Sequence, residues 1–459
     1  MGCRSCQEFS RARLLRQAAA QAGSGLPLIE PGMPIPAGTG LDRRSFLLRS
    51  GMAMLSVYGA SRLGFAQLEE GIARAQGTTN PVLVNVFMEG GVDSLSLLAP
   101  VNDSRYRQWR PNLALGAGAG TPFAEDDRLR WHPAAMPFDT LHGEGKVSVF
   151  PAIGYSGADQ SHFTSRHYWE VGELRANTRT GWMGRLLDAI GTDDNPLQGL
   201  AMDGWLSPTL ATASKPVAAI DGPGYELWAP GVWSEVEELM FDAVASVGEA
   251  QAAGGDPART GAGQIAAQAM RLRTQLAPFG NGQIVSPVTY PDVRFGENLA
   301  ALAAMLEAGM PISCVSVQAT GAYDTHDSQR SSLGDDLGST AQAILAFQRD
   351  LEARDLDGRV ITLVWSEFGR RPQENGSGEG AGTDHGAAGT ALLIGSRARG
   401  QMIGEWPGLA TLDEDDNIRH TSDFRALYCS LLEQWFDHDA SSVIPGAGGF
   451  ARPALIAAP

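Results

Sequence analysis

Three short segments gather acids and histidines: Tyr323-Asp324-Thr325-His326, Ser366-Glu367-Phe368-Gly369-Arg370 and Gly382-Thr383-Asp384-His385-Gly386. The chain has only eight histidines, and two of them fall here, each within two residues of an aspartate. Imidazole and carboxylate at such spacing are the donors from which Zn²⁺, Mn²⁺ or Fe sites are made. Asp324 and His326 are two apart, so an extended backbone turns both to one side. Asp384 and His385 are adjacent in a Gly-bounded turn, where an irregular backbone lets neighbours point apart. Glu367 follows an apolar run, where a charge is costly unless it binds something. Asp324, His326, Glu367, Asp384 and His385 are therefore candidate ligands for one or two ions.

Four further residues could take part. Asp93 follows a Gly-Gly turn and is a candidate ligand; its bland alternative is a cap on the next segment. Ser94 could be a nucleophile activated by a metal, against the plainer role of a loop serine. His162 could be another ligand or a general acid. Arg370 could neutralise an anionic substrate such as phosphate or sulfate, or simply pair with a nearby acid.

The surrounding pattern says what positions these residues. Pro81–Met88 is short, β-branched and apolar, which predicts a buried strand running into Glu89-Gly90-Gly91. Further strands are expected at 146–153, 197–202, 216–220, 312–318, 359–365 and 390–395. Helices are expected at 161–170, 298–308, 333–354 and 421–436, with Thr421 or Ser422 as cap of the last. Strands alternating with helices predict an α/β fold with a mainly parallel sheet. In such sheets ligands bind beyond the carboxyl ends of the strands. The Asp93, Asp324 and Glu367 turns each follow an expected strand, and the Asp384 turn lies between two. Residues 230–290 read as an inserted helical subregion.

Composition excludes some functions. The formal net charge is -17, so a nucleic acid is not an expected partner. No Walker A, dinucleotide-binding GxGxxG or HExxH pattern is present, and no GxSxG sits in a strand–turn–helix context. Of the four cysteines, Cys314 and Cys429 read as small buried side chains, and Cys3 and Cys6 form a lone CxxC. Arg43-Arg44-Ser45-Phe46-Leu47 precedes a short, weakly apolar run ending near Gly64-Phe65-Ala66. This resembles a bacterial twin-arginine export signal, too short and too rich in Gly and Ser for a stable membrane span. It predicts a leader over 1–66, a linker over 67–79, a main domain over 80–445 and a tail over 446–459. The expected destination is the periplasm or the extracellular space, by way of the twin-arginine translocation machinery.

The leader, Phe87-Met88-Glu89-Gly90-Gly91-Val92-Asp93, Ser161-His162-Phe163, the three acid and histidine segments, and Thr421-Ser422-Asp423-Phe424-Arg425 occur in this order. As a set they resemble the exported bacterial family called domain of unknown function 1501, grouped with the alkaline phosphatase and sulfatase superfamily. The resemblance implies a three-layer α/β/α sandwich, alkaline phosphatase-like, with one or two divalent ions (Zn, Mn or Ca) at the strand ends. It implies a metal-dependent hydrolase or transferase of phosphate or sulfate esters, with an anionic ester as substrate. The first strand departs from the superfamily pattern in lacking an Asp at its very end. The alternative is a non-catalytic exported protein that keeps the fold and binds a surface polymer or a protein partner.

Overall fold

The structure is a computed structural model that describes residues 33–38, 55–58, 80–193, 195–222, 235–252, 272, 276–279 and 284–458. The expected leader motif at Arg43-Arg44, the cleavage region, the linker, the CxxC and much of the 230–290 subregion lie outside the described residues.

A nine-stranded sheet forms the centre. Its strands in chain order are β1 Leu55–Tyr58, β2 Val82–Phe87, β6 Val147–Gly154, β7 Gly199–Ala201, β8 Val217–Ile220, β9 Cys314–Gln318, β10 Val360–Trp365, β13 Gly389–Ile394 and β14 Ser422–Asp423. The numbers between belong to a small three-stranded sheet (β3 Leu98–Ala99, β4 Thr121–Pro122, β5 Arg130–Trp131) and to a hairpin (β11 Arg370–Asn375, β12 Gly382–His385). The order across the large sheet is β1-β8-β7-β9-β2-β10-β13-β6-β14. The central β9, β2 and β10 are parallel to one another, while β13 runs against both of its neighbours. The edge strand β1, within the stretch read as leader, pairs antiparallel with β8.

Side-chain alternation divides the core into two halves. On β2, Val82, Val84 and Val86 face one half, and Leu83 and Phe87 face the other. On β10, Val360 and Val364 face the first half, and Ile361, Leu363 and Trp365 the second. Helices α1 Met136–Gly143, α5 Arg294–Glu307 and α6 Gln329–Ala353 cover the first half. Helices α2 His162–Val171, α3 Trp182–Ile190 and α7 Phe424–Gln434 cover the second. The fold is thus the α/β fold with a mainly parallel sheet that the alternation of elements implied, layered as the α/β/α sandwich that the family resemblance implied. Helix α4, Glu235–Ala252, falls in the expected helical subregion. Helix α7 is capped by Asp423, whose carboxylate accepts from Arg425 N–H, and not by Thr421 or Ser422. Among the described residues no helix is long and apolar enough to cross a membrane.

Candidate metal centre

The carboxyl ends of β2, β9 and β10 carry the turns that build the site. After β2 the chain turns through Gly90 and Gly91, with φ of +118° and +79°. A Cβ on Gly90 would lie 2.3 Å from the Asp324 backbone nitrogen, so only glycine lets this turn reach the segment after β9. The buried N–H groups of Gly90 and Gly91 donate to the Glu367 carboxylate, both at 3.1 Å to Oε2. Ser366 Oγ accepts from Gly91 and Val92 N–H at 3.0 Å, which ties the β10 turn to the β2 turn.

Asp324 and His326 extend from the β9 turn to one side, as their spacing implied. Asp324 Oδ1 lies 3.0 Å from His326 Nε2, 3.3 Å from His385 Nε2 and 3.5 Å from His162 Nε2. His326 Nε2 and His385 Nε2 stand 3.0 Å apart. The ligand atoms of His162, Asp324 and His385 all lie within 4.8 Å of one another. His162 comes from the first turn of α2, where Ser161 caps the helix by accepting from Phe163 N–H. His385 ends β12, opposite Arg370 in the hairpin. The turn expected around Asp384 and His385 is therefore a strand, so the two side chains part by strand alternation instead of backbone irregularity.

The second nitrogen of each imidazole is held from behind. His162 Nδ1 donates to Glu367 Oε1 at 2.8 Å, His326 Nδ1 to Asp384 Oδ1 at 2.9 Å, and His385 Nδ1 to the Gln160 carbonyl at 2.7 Å. An acceptor behind Nδ1 fixes the tautomer that turns the Nε2 lone pair inward, the usual bracing of metal-binding histidines. Without an ion, protons on Nε2 and Arg370 Nη1, 3.5 Å from His326 Nε2, bridge these acceptors. A cation would displace those protons and take their place. Donors around an ion at about 2.1 Å sit roughly 3.0 to 3.4 Å from one another, close to the separations seen here. The residues fit a metal ion.

Electrostatics follow from this packing. Burial opposes ionisation of Asp324, but hydrogen bonds from the three histidines and the charge of Arg370 hold its carboxyl well below the usual range. Burial pushes His162 down, yet its hydrogen bonds to Asp324 and Glu367 outweigh that and lift it to about 9. Burial lowers His385 to about 4, with Asp324 offsetting only part of the effect. Asp324 keeps about a fifth of its side chain exposed (19%), while His162 is buried at 2%. The centre is therefore reached from the Asp324 side.

The other candidates occupy different places. Glu367 is fully buried and accepts from Gly90, Gly91, Ser366 and His162, so its oxygens are taken by the protein and it serves to hold His162. Asp384 has a side chain 57% exposed and braces His326, with Asn375 Nδ2 donating to the same oxygen at 3.0 Å. Asp93 caps a helical turn at Ser94–Leu97. Its carboxylate is saturated by Arg110 (2.9 Å), Ser96 Oγ (2.6 Å) and Gln329 Nε2 (2.6 Å). Ser94 is buried at the start of that turn, and its Oγ has no hydrogen-bond partner among the described residues. Arg370 is fully buried and donates to the carbonyls of Gly90, Gly91, Tyr323 and Thr383 and to Asp324 Oδ1 at 2.6 Å. Its guanidinium is thus committed to the turns and to one ligand. Two participants carry no sequence signal: the Gln160 carbonyl, since any residue has one, and Gln329, a lone amide with no motif.

Comparison with known proteins adds three distant likenesses. The C-terminal periplasmic domain of EcEptC from Escherichia coli, in complex with Zn, is 9% identical, with 80% of this chain and 87% of that chain covered at a TM-score of 0.34. The PsFucS1 sulfatase from Pseudoalteromonas sp. is 12% identical, with 84% and 76% covered at a TM-score of 0.30. A protein in the alkaline phosphatase superfamily from Vibrio parahaemolyticus is 9% identical, with 83% and 79% covered at a TM-score of 0.31. No curated protein matches the sequence. Over residues 240–443 the chain matches the family described as "Protein of unknown function (DUF1501)", the family that its motifs resemble.

Proposed function

We propose that the chain is an exported metal-dependent hydrolase or transferase acting on phosphate or sulfate esters. The observation that carries this reading is the convergence of three braced imidazole Nε2 atoms on Asp324 Oδ1, at 3.0, 3.3 and 3.5 Å. Three imidazoles and one carboxylate suit a single borderline ion such as Zn²⁺ better than Ca²⁺ or Mg²⁺, which take oxygen donors. When bound, such an ion polarises an ester oxygen and makes water a nucleophile at neutral pH.

The chain's own residues would do the following. His162, His326, His385 and Asp324 would hold the ion. Glu367, Asp384 and the Gln160 carbonyl keep the Nδ1 protons in place, so the Nε2 lone pairs stay turned inward. Arg370 fixes Asp324 through a buried ion pair. Ser94 is buried, so the attacking oxygen on this reading is a water and not a serine. Export rests on the Arg43-Arg44 leader pattern and the superfamily resemblance. The test is turnover of aryl phosphate, phosphodiester and sulfate esters by the purified protein, before and after chelation. Turnover that chelation abolishes and Zn²⁺ restores supports the reading; turnover indifferent to chelation overturns it.

One observation favours the alternative. His162, Asp324 and His385 lie within 4.8 Å of one another, and with His326 on the same ion the four-coordinate shell would be full, as in structural zinc sites, whereas catalytic sites keep a position open. On that reading the protein is exported, keeps the fold without catalysis, and binds a surface polymer or a protein partner. A filled site with no turnover across the ester panel would favour it.

A further inference from the structure

The buried amide of Gln329 joins the turns that carry the ligands. It is fully buried at the first position of α6, three residues past His326. Its Nε2 donates to Asp93 Oδ2 at 2.6 Å and to Ser96 Oγ at 3.3 Å. Its Oε1 accepts from Thr325 Oγ1 at 3.0 Å and from Thr383 Oγ1 at 2.6 Å. Thr325 lies between Asp324 and His326, and Thr383 precedes Asp384 and His385. The two threonines also meet directly, Thr383 N–H donating to the Thr325 carbonyl at 3.0 Å.

The amide can sit only one way round. A carboxylate offers acceptors alone, so the side facing Asp93 must be the NH₂ group. The carbonyl side then meets two hydroxyls, both of which can donate to it. Asp93 stays ionised because, although burial opposes it, the charge and hydrogen bonds of Arg110 hold its carboxyl below the usual range. Arg110 in turn donates to the carbonyls of Pro372 and Arg371, on the strand that opens with Arg370. A chain of fixed polarity therefore runs from Arg110 through Asp93 to Gln329, and ends on the residues flanking Asp324, His326 and His385.

We infer that Gln329 is a positioning residue of the metal centre, setting the separation between the β9 turn and the β12 strand through Thr325 and Thr383. Asp93 then serves the centre at one remove, by fixing the sense of that amide. The inference rests on the metal reading above. It predicts that Gln329→Met, close in shape but without the amide, loosens the ligand set without touching any ligand.

The experiment compares wild type, Gln329→Met and Thr383→Val, with Gln348→Met on the same helix as control. Zn²⁺ affinity is read by chelator competition, and ligand geometry by the visible absorption of the Co²⁺-loaded protein. The expected result is Zn²⁺ affinity weakened about 10- to 100-fold in Gln329→Met, the range for residues that brace metal ligands. The Co²⁺ bands should change shape, with both readouts unchanged in the control. Thr383→Val should shift both readouts in the same direction, and decides the matter should Gln329→Met not fold. Wild-type affinity and an unchanged Co²⁺ spectrum in both variants would overturn the inference while leaving the metal reading intact. A wild-type protein that binds neither ion overturns the metal reading, and the inference with it.

Discussion

Glu367 Oε1 stands 2.8 Å from His162 Nδ1, deep in the interior where neither side chain meets water. The same carboxylate collects the N–H groups of Gly90 and Gly91, so one acid both closes the β2 turn and orients an imidazole. A charge buried this completely is stable only because every oxygen is engaged. Glu367→Gln keeps the shape but turns an NH₂ group toward donors. Zn²⁺ affinity measured by chelator competition should fall about 10- to 100-fold, and thermal stability should fall with it. Wild-type affinity in this variant would mean that the imidazole needs no such brace.

Removing a ligand should act on metal binding more than on folding. His385→Ala deletes one of the converging donors, and Asp324→Asn removes the charge of another. Excess Zn²⁺ should raise the melting temperature of the wild type, since a ligand at 100 times its Kd adds about 2.7 kcal/mol to stability. In both variants that rise should largely vanish under the same conditions. A thermal shift assay decides it, and an undiminished rise would place the ion elsewhere.

The Asp93–Arg110 pair makes the opposite prediction, because both side chains are wholly buried and neither touches the ion site. Arg110→Met leaves the Asp93 carboxylate without its countercharge. Loss of one partner of a buried pair costs about 3–5 kcal/mol. Urea unfolding should show a loss of that order; a change under 1 kcal/mol would mean that water reaches Asp93.

These placements show what the sequence could and could not reveal. The β2, β9 and β10 strands were legible because short β-branched runs have few other uses. The i, i+2 relation of Asp324 and His326 was legible because it depends on extended backbone alone. The roles of Asp93, Glu367 and Arg370 were not. An acid two removes from an ion and an acid on the ion look alike in a sequence. What separates them is the count of N–H groups around each oxygen, which depends on contacts up to about 280 residues apart, such as Arg370 with Gly90. The hairpin of β11 and β12 was missed because its glycines read as loop, and Gln329 because a single amide follows no pattern.

Asp203 supplies a pH dependence away from the centre. Burial raises its carboxyl to about 6, with the Gln318 N–H, Arg294 and Arg166 offsetting part of the effect and Glu89 adding to it. A folded-state pKa above the unfolded value of 3.8 means that the folded chain holds this proton more tightly. The resulting stabilisation is complete below the unfolded value and is lost as pH rises through about 6. Wild type should therefore lose stability relative to Asp203→Asn across that window. Parallel unfolding curves for the two proteins at each pH would contradict it.

X-ray absorption at the zinc edge of the Zn²⁺-loaded protein tests the central claim most directly. The expected spectrum is a first shell of nitrogen and oxygen at about 2.0–2.1 Å with the outer-shell scattering of three imidazoles, reduced to two in His162→Ala. A shell built of oxygen without imidazole scattering, or one unchanged by His162→Ala, would contradict the assignment of His162, His326, His385 and Asp324 as the metal centre.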